Sequence, residues 1–302
     1  MDNLLNASQT AARLPWDGLI RELALLLSDP AVQVPERLVQ PLPGGASLFV
    51  MPALDGRIAI TKLITFTPAN AGTGRPAIQG DVVVFDVATG ARVLVLDGPT
   101  VTARRTAAVS LLAAQRLAPN QTGPLLIVGA GAQGLAHLEA FAHGLPLREV
   151  RVASRTIASA QALVDRAQAL GLQASVADDA DAALADCALV VTCTPANGVV
   201  LSGPLRADAF VAAVGAFTPK MVELAPELCR YCSEHGSVFV DTPDAVHEAG
   251  DLIQAGLEVA RFTTLREVVM GSAPPARGPV LFKSCGWAGW DLAAARAATR
   301  SV

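Results

Sequence analysis

The chain has 302 residues, of which 52% are apolar and 17% charged, and its formal net charge is -4. This composition excludes a disordered chain, and the lack of a Lys/Arg cluster gives no electrostatic reason to expect nucleic-acid binding. No apolar run approaches the roughly 18 residues of a membrane-spanning helix, and the polar N-terminal segment does not resemble a signal peptide. We therefore expect a soluble, cytoplasmic protein that binds neither nucleic acid nor membranes.

The first third of the chain predicts a helix followed by a sheet. Pro15 opens a helix whose leucines recur at helical spacing as far as Leu27. Short β-branched runs then alternate with turns, and the connections are too short for crossover helices, which favours at least partly antiparallel pairing. The predicted strands are 47–51, 58–64, 81–86 and 92–96, with a turn at 72–74, and an alanine-rich helix follows over 102–117.

From residue 124 onward, strands and helices alternate, which predicts a parallel, doubly wound sheet of the Rossmann type. Segment 263–279 is predicted as a connector, and 291–299 as the last helix. The fold class is therefore α/β, with predicted domains at 1–118, completed by about 280–302, and at 119–279. The predicted strands of the second domain are 125–128, 150–153, a short one at Val176, 189–193, 209–214 and 237–240, with helices to about 143 and over 158–170.

A glycine-rich loop follows the strand at 125–128. In the pattern G-x-G-x-x-G, Gly129 permits a tight turn, Gly131 lets the backbone approach a pyrophosphate, and Gly134 allows close helix–strand packing. A structural turn is the alternative, but the order of strand, loop, helix and strand favours dinucleotide binding. The predicted cofactor contacts here are Gly129, Ala130, Gly131, Ala132, Gln133 and Gly134.

The end of the second strand of this unit predicts which dinucleotide binds. NAD sites place Asp or Glu about 20 residues after the loop, whereas this chain has Ser154, Arg155 and Thr156 there. Arg155 can pair bidentately with a ribose 2′-phosphate, and the two hydroxyls can donate hydrogen bonds. NADP(H) is the predicted cofactor; the alternative is that Arg155 is a solvated surface residue.

The cysteines raise the question of a metal site. Cys229 and Cys232 form C-x-x-C, with His235 three residues further on. Zinc requires four ligands at defined spacing, and no second pair lies nearby. Five scattered cysteines are not a disulfide framework either. We predict buried thiols and no metal.

Three basic residues of the first domain are candidates for substrate binding. Lys62 lies in the predicted strand 58–64, where a charge is unfavourable unless it is paired. Arg105 opens an alanine-rich helix, and Arg37 follows a turn-rich segment. Together they can bind a small carboxylate, with arginine supplying two parallel hydrogen bonds. Ordinary surface cations are the alternative.

Several motifs together resemble the ornithine cyclodeaminase/μ-crystallin family over most of the chain. The resemblance implies a Rossmann domain beside a smaller mixed α/β domain that binds substrate and forms a homodimer. It also implies that Arg37, Lys62 and Arg105 hold the substrate carboxylate and the reacting carbon–nitrogen centre. The motifs are P-E-R at 35–37, V-M-P-A at 50–53, Lys62 with P-A-N at 68–70, Asp86 with T-G at 89–90, T-A-R-R-T-A-A at 102–108, the glycine loop with Gln133, A-V-G-A at 213–216 and F-K-S-C-G at 282–286.

One position departs from the cyclodeaminases of this family. They carry an aspartate after the fifth strand, where this chain has Phe217, whose ring cannot act as a base or orient water. The chain therefore resembles more the ketimine reductases, which reduce Δ1-pyrroline-2-carboxylate and Δ1-piperideine-2-carboxylate to proline and pipecolate. We predict such an NADPH-dependent reductase, with Phe217 among the substrate-binding residues.

The predicted mechanism assigns one role to each cation. Arg105, helped by Arg37, clamps the imine carboxylate, and Lys62 gives a proton to the imine nitrogen directly or through a water. A desolvated lysine close to two arginines should have a lowered pKa.

Three further residues are predicted to bind the coenzyme. The resemblance implies that Thr106 and Ser284, with the loop at Gly286, line the nicotinamide side, although packing roles fit them equally well. Thr194, after the strand 189–193, is the third.

Three other functions remain open for this sequence. An amino acid dehydrogenase of the alanine type, acting on an open-chain 2-oxo acid with ammonia, and an ornithine cyclodeaminase belong to the same family. A μ-crystallin-like protein that binds small ligands with NADPH belongs to another class. The preferred ring size of the imine is also open.

Overall fold

The computed structural model describes residues 3–70, 73–195 and 197–300, so the turn predicted at 72–74 begins outside the described residues. The chain forms two compact units, Met1–Thr106 with Trp287–Val302, and Ala107–Gly286. The helices and strands, in chain order, are α1 (Ala7–Arg13), α2 (Trp16–Ser28), β1 (Leu38–Pro41), β2 (Ser47–Leu54), β3 (Ile58–Phe66), β4 (Ile78–Asp86), β5 (Arg92–Asp97), α3 (Gly98–Leu117), β6 (Leu125–Val128), α4 (Ala132–Gly144), β7 (Glu149–Ala153), α5 (Ile157–Ala169), β8 (Gln173–Val176), α6 (Ala180–Leu184), β9 (Leu189–Thr192), β10 (Asn197–Leu201), β11 (Phe210–Ala213), β12 (Val222–Leu224), α7 (Pro226–His235), β13 (Ser237–Val240), α8 (Ala245–Glu248), α9 (Gly250–Gln254), β14 (Thr263–Thr264), α10 (Leu265–Val269), β15 (Val280–Lys283) and α11 (Ala288–Arg300).

The first unit contains a five-stranded antiparallel sheet in the order β1-β2-β3-β4-β5. The antiparallel pairing confirms the prediction, because each connection is too short to return the chain in the same direction. Side chains along β3 alternate, so Ile58, Ile60, Lys62 and Ile64 share the buried face. Helix α11 packs against α2 and against β2 and β3. A lysine therefore lies in an apolar layer.

The second unit contains an eight-stranded sheet in the order β14-β13-β15-β11-β9-β6-β7-β8. Every neighbouring pair is parallel, which confirms the predicted Rossmann-type sheet. The chain passes from β6 to β7 and β8 on one side and then continues at β9 on the other. Such a change of direction opens a crevice at the carboxyl ends of the strands, where ligands bind in folds of this type.

Several elements differ from the sequence-based expectation. The predicted connector at 263–279 is wrong in its first part, which contains β14 and α10. Thr264 caps α10 in a capping box with Glu267, a start signal that the sequence analysis overlooked. The sequence analysis also did not assign α1, the β10–β12 pair or β15.

Two of these omissions have a clear physical reason. All four residues of β15 are buried, and so short an apolar run carries no periodicity that separates strand from helix. Helix α1 has seven residues and depends on the Asn6–Gln9 capping box rather than on an apolar stripe. Among the described residues, no helix is both long enough and apolar enough to cross a membrane.

Candidate active site

The glycine loop lies at the carboxyl end of β6, beside the crevice between β6 and β9. Gly129 has a φ of 113°, and a Cβ there would lie 2.8 Å from the carbonyl oxygen of Cys193. A Cβ on Gly134 would collide with the carbonyl oxygen of Gly129, whereas one on Gly131 would meet nothing within 4 Å. Two glycines are therefore required by the fold, and Gly131 leaves an open backbone surface.

Helix α4 begins at Ala132, directly after this open position. Its N-cap residue, Gly131, provides no side-chain hydrogen bond, and its first turn contains no acidic residue. Both residues are exposed. The first N–H groups of a helix have no partner within the helix and attract phosphate oxygens. The loop thus fits the pyrophosphate of a dinucleotide.

The residues predicted to select NADP(H) lie just beyond β7. Arg155 is exposed and forms no ion pair within the described part of the chain. The Oγ of Ser154 lies 2.9 Å from Ser159 Oγ, and Thr156 caps α5 by accepting a hydrogen bond from the Ser159 backbone. The two hydroxyls are thus fixed by Ser159, while the guanidinium remains available to an anion.

The cations of the first unit converge on a carboxylate that the sequence analysis did not single out. Lys62 Nζ lies 3.1 Å from Oδ1 and 2.9 Å from Oδ2 of Asp291, which is in α11. Arg105 Nε donates to the same Oδ1 at 3.2 Å. Lys62, Arg105 and Asp291 are 1%, 6% and 0% exposed. The structure therefore brings two of the three predicted substrate-binding cations together around one buried acid.

Burial and charge act in opposite directions on Lys62. Removal from water lowers its pKa, the charge of Asp291 raises it, and the charges of Arg105 and Arg37 lower it again, so that the pKa is about 8. The lowered value confirms the expectation for a desolvated lysine near two arginines. Arg37 is half-buried, and its charge has the smallest of these effects on the pKa of Lys62. Thr106, which follows Arg105 in α3, is buried.

The second unit has a buried acid at the ends of β9 and β11. Glu223, in β12, accepts hydrogen bonds at Oε1 from the N–H of Thr194 at 2.7 Å and from its hydroxyl at 2.8 Å. Its Oε2 accepts from Thr192 Oγ1 at 3.0 Å and from the N–H of Gly215 at 2.7 Å. Burial raises the pKa of Glu223, against the opposing charge of Lys283. One carboxylate thus holds two strand-end loops, including the predicted coenzyme contact Thr194.

A second pair continues this network. Asp251 Oδ1 accepts from the N–H groups of Glu223 at 2.6 Å and Leu224 at 2.9 Å, and Oδ2 lies 2.9 Å from Lys283 Nζ. Burial lowers the pKa of Lys283, but the charges of Asp251, Cys285 and Glu223 and the hydrogen bond to Asp251 together outweigh this effect and raise the pKa overall. All three charged side chains are completely buried. For Glu223 the signal in the sequence is a charged residue between two apolar neighbours, Val222 and Leu224, whereas Asp251 and Lys283 have a large apolar neighbour on one side only.

The loop at Gly286 is held in a similar way. Asp241, at the end of β13, accepts hydrogen bonds at Oδ2 from Ser284 Oγ and from the N–H groups of Cys285 and Gly286, all at 2.9 Å. Ser284 is buried, and its hydroxyl already has a partner within the protein, because it donates to Asp241. Phe217 follows β11, is half-buried and packs against the apolar core of this unit.

The cysteine pair lies inside the second unit. Cys229 and Cys232 are buried in α7, where burial raises the pKa of both thiols, as expected for structural cysteines. His235 is exposed and stacks on Tyr231.

Comparisons with known proteins identify the family. The model of the ornithine cyclodeaminase/mu-crystallin family matches residues 23–301. The chain is 38% identical over 299 residues to Delta(1)-pyrroline-2-carboxylate reductase 2 of Burkholderia ambifaria, covering 97% of this chain and 94% of that protein. It is 34% identical over 274 residues to ketimine reductase mu-crystallin of Mus musculus, covering 89% and 85%.

A solved structure has the same fold. The structure of Thermococcus litoralis Delta(1)-pyrroline-2-carboxylate reductase in complex with NADH and L-proline matches with a TM-score of 0.90 at 23% identity, covering 98% of this chain and 96% of that one. The resemblance inferred from the motifs is thereby confirmed. This protein belongs to the ornithine cyclodeaminase/mu-crystallin family.

Proposed function

We propose that this protein is an oxidoreductase that reduces a cyclic ketimine carboxylate with NADPH. The substrates are Δ1-pyrroline-2-carboxylate, Δ1-piperideine-2-carboxylate or both, and the products are L-proline and L-pipecolate. The observation that carries the proposal is the pair of buried cations, Lys62 and Arg105, on the one carboxylate of Asp291. The reductase names of its relatives support the same reaction.

The charge of this group favours an anionic substrate. When Lys62, Arg105 and Asp291 are all ionised, Asp291 balances only one of the two positive charges that contact it. Arg105 contacts Asp291 through Nε, and its two terminal nitrogens make no hydrogen bond to another described residue. These nitrogens suit a carboxylate, which arginine binds through two parallel hydrogen bonds. In the proposed complex, Arg105 grips the imine carboxylate, and Arg37 adds positive charge.

Lys62 is the proposed proton donor. An imine accepts a hydride more readily once its nitrogen is protonated, so a donor near that atom lowers the barrier. With a pKa of about 8, Lys62 is mostly protonated at neutral pH, yet it releases its proton more easily than an exposed lysine. It acts directly or through a bound water.

The proposed coenzyme is NADP(H). Bound NADPH supplies the hydride for the reduction. The glycine loop at 129–134 and the start of α4 are the proposed binding site of its pyrophosphate, and exposed Arg155 is the proposed partner of its 2′-phosphate. Ser154, Thr156, Thr106, Thr194 and Ser284 are retained as proposed coenzyme contacts.

We also propose a cytoplasmic homodimer. Five unpaired cysteines agree with a reducing compartment. The outer face of the five-stranded sheet exposes Leu38 and Leu63, which lie in one cross-strand row on either side of Val50. Exposed apolar patches of this kind are typical of interfaces between subunits.

A three-part assay tests the proposed reaction. Oxidation of NADPH is followed with Δ1-pyrroline-2-carboxylate, then with pyruvate and ammonia, and release of ammonia is followed with ornithine and NAD. We expect turnover with the cyclic imine alone, and faster with NADPH than with NADH. Turnover only with pyruvate and ammonia would contradict the proposal and identify an amino acid dehydrogenase. Turnover only with ornithine would identify a cyclodeaminase.

Absence of turnover in all three parts favours a binding protein instead. Phe217 offers no base for deamination, which is why turnover with ornithine is not expected.

A further inference from the structure

Asp291 contacts both Lys62 and Arg105, but the proposed mechanism gives it no role of its own. It is completely buried, and both of its oxygens face cations that are proposed to act on the substrate. A buried ion pair contributes little net stability, because desolvation of the charges offsets their attraction. Asp291 is nevertheless required while Lys62 and Arg105 are buried, because a buried charge without a partner is strongly destabilising, and these two cations are the ones proposed to act on the substrate.

The geometry shows what the carboxylate does to Lys62. An ammonium group has three N–H donors. The two Asp291 oxygens, at 3.1 and 2.9 Å, take up one side of Nζ, and Lys62 has no other hydrogen-bond partner in the described ranges. At least one N–H remains for a substrate atom, and the carboxylate fixes the direction in which it points.

Arg105 is fixed from the same point. Asp291 Oδ1 accepts from both Lys62 Nζ and Arg105 Nε, so the two cations share one oxygen atom. Because the guanidinium is planar and rigid, a contact at Nε sets the direction of its two terminal nitrogens. The Asp291 carboxylate thus sets the spacing between the terminal nitrogens of Arg105, which are proposed to bind the substrate carboxylate, and the ammonium group of Lys62.

We propose that Asp291 is a positioning residue, which aligns Lys62 with Arg105 and keeps Lys62 protonated until it gives its proton to the imine nitrogen. This inference rests on the proposed function. In the proton transfer, one N–H bond of Lys62 breaks and its electron pair stays on the neutral amine. A new N–H bond forms on the substrate, and Lys62 regains a proton from solvent.

The charged groups around Lys62 predict the direction of the effect. Asp291 of α11 favours the charged amine, whereas Arg105 of α3 and Arg37, which precedes β1, disfavour it. Without the negative charge of Asp291, burial and the two arginines would act unopposed. Nearby opposite charges shift a pKa by about 1–3 units, so Asp291→Asn should lower the pKa of Lys62 by about one unit or more.

The lysine content of the chain makes this measurable without any substrate. The chain has three lysines, Lys62, Lys220 and Lys283. In protein labelled with 13C at lysine Cε, each lysine gives one NMR signal, and the signal of Lys62 is followed between pH 6 and 10. Lys62→Met assigns the signal of interest, and exposed Lys220 is an internal reference.

We expect Lys62 to titrate near pH 8 in the unsubstituted protein and at clearly lower pH in Asp291→Asn. Asp55→Asn is the matched control, because Asp55 is also a buried acid of the first unit but pairs with Arg296. It should leave the Lys62 signal unchanged. An unchanged titration in Asp291→Asn, or an equal shift in both variants, would overturn the inference.

A second variant, expected to shift the pKa of Lys62 in the opposite direction, covers the case in which Asp291→Asn does not fold. Arg105→Gln removes a positive charge, so Lys62 should then titrate at higher pH than in the unsubstituted protein. No change in that variant would also overturn the inference.

In the active enzyme, Asp291→Asn should shift the basic limb of the kcat/KM profile to lower pH, in the same direction as the NMR titration. If the protein reduces no imine, the proposed function fails, while the NMR titration still decides whether Asp291 controls Lys62.

Discussion

At the scale of single residues, Lys62 illustrates how a strand position becomes chemically active. It occupies an inward position of β3 between Ile60 and Ile64, where an apolar residue would stabilise the core. Desolvation there lowers the pKa of the amine to about 8, and Asp291 prevents a larger fall. The same burial that makes the position unfavourable for a charge also gives the amine a pKa suited to proton transfer near neutral pH.

This predicts both a mutational effect and a pH profile. Lys62→Met keeps the apolar stem but removes the acid, so kcat/KM for the imine should fall by about 10²–10⁴-fold, the usual contribution of a general acid. In the unsubstituted enzyme, kcat/KM should fall as pH rises above about 8, because the donor must be protonated.

Steady-state kinetics across pH 6 to 10 measures both effects. Lys220→Met, a change at an exposed lysine, is the control and should leave the profile unaltered. Retention of most of kcat in Lys62→Met would exclude this side chain as the essential donor.

At the scale of elements, the loops after the parallel strands are held by buried acids rather than by their own sequences. Glu223 contacts Thr192, Thr194 and Gly215, and Asp241 holds Ser284 to Gly286. Gly215 is required here, because a Cβ would collide with the carbonyl oxygen of Thr194 and with the Glu223 carboxylate. The loops at the carboxyl ends of these strands are therefore held in place by buried side chains of the same unit.

Glu223→Gln tests this arrangement. All four groups around the carboxylate are donors, and an amide has only one acceptor oxygen, so at least one backbone N–H loses its partner. The free energy of unfolding should fall by about 1–3 kcal/mol. Since Thr194 is a proposed coenzyme contact, the Kd of NADPH and the Kd of NADH should both rise several-fold.

Calorimetric titration and urea unfolding measure these two quantities. Arg155→Glu is the comparison, because it should weaken NADPH binding and leave NADH binding nearly unchanged. Glu149→Gln, a change in an ion pair at the surface, should alter neither. Unchanged coenzyme affinity in Glu223→Gln would show that the loop after β9 does not depend on this acid.

At the scale of the whole molecule, the alternation of sequence patterns predicted more of the fold than of the site. The parallel sheet, the antiparallel sheet and the helix at 16–28 follow from periodicity and turn residues, and the structure confirms them. The glycine loop could be found because its residues are contiguous in the sequence.

The buried acids could not be found in the same way. Lys62 and Asp291 are 229 residues apart in the chain, and only the folded first unit brings them together. Glu223, Asp251 and Lys283 are likewise far apart in sequence. A charged residue among apolar neighbours signals burial, but it does not name its partner. The motifs that resemble the family identified Lys62 and Arg105, while their shared carboxylate needed the structure.

The most direct test of the central claim follows the hydrogen that is transferred. The protein is incubated with Δ1-pyrroline-2-carboxylate and with NADPH that carries deuterium at both C4 positions, and the product is analysed by mass spectrometry and NMR. The account predicts L-proline with one deuterium at Cα and one equivalent of NADP⁺ formed. Recovery of the imine unchanged, or proline that carries only protium at Cα, would contradict it.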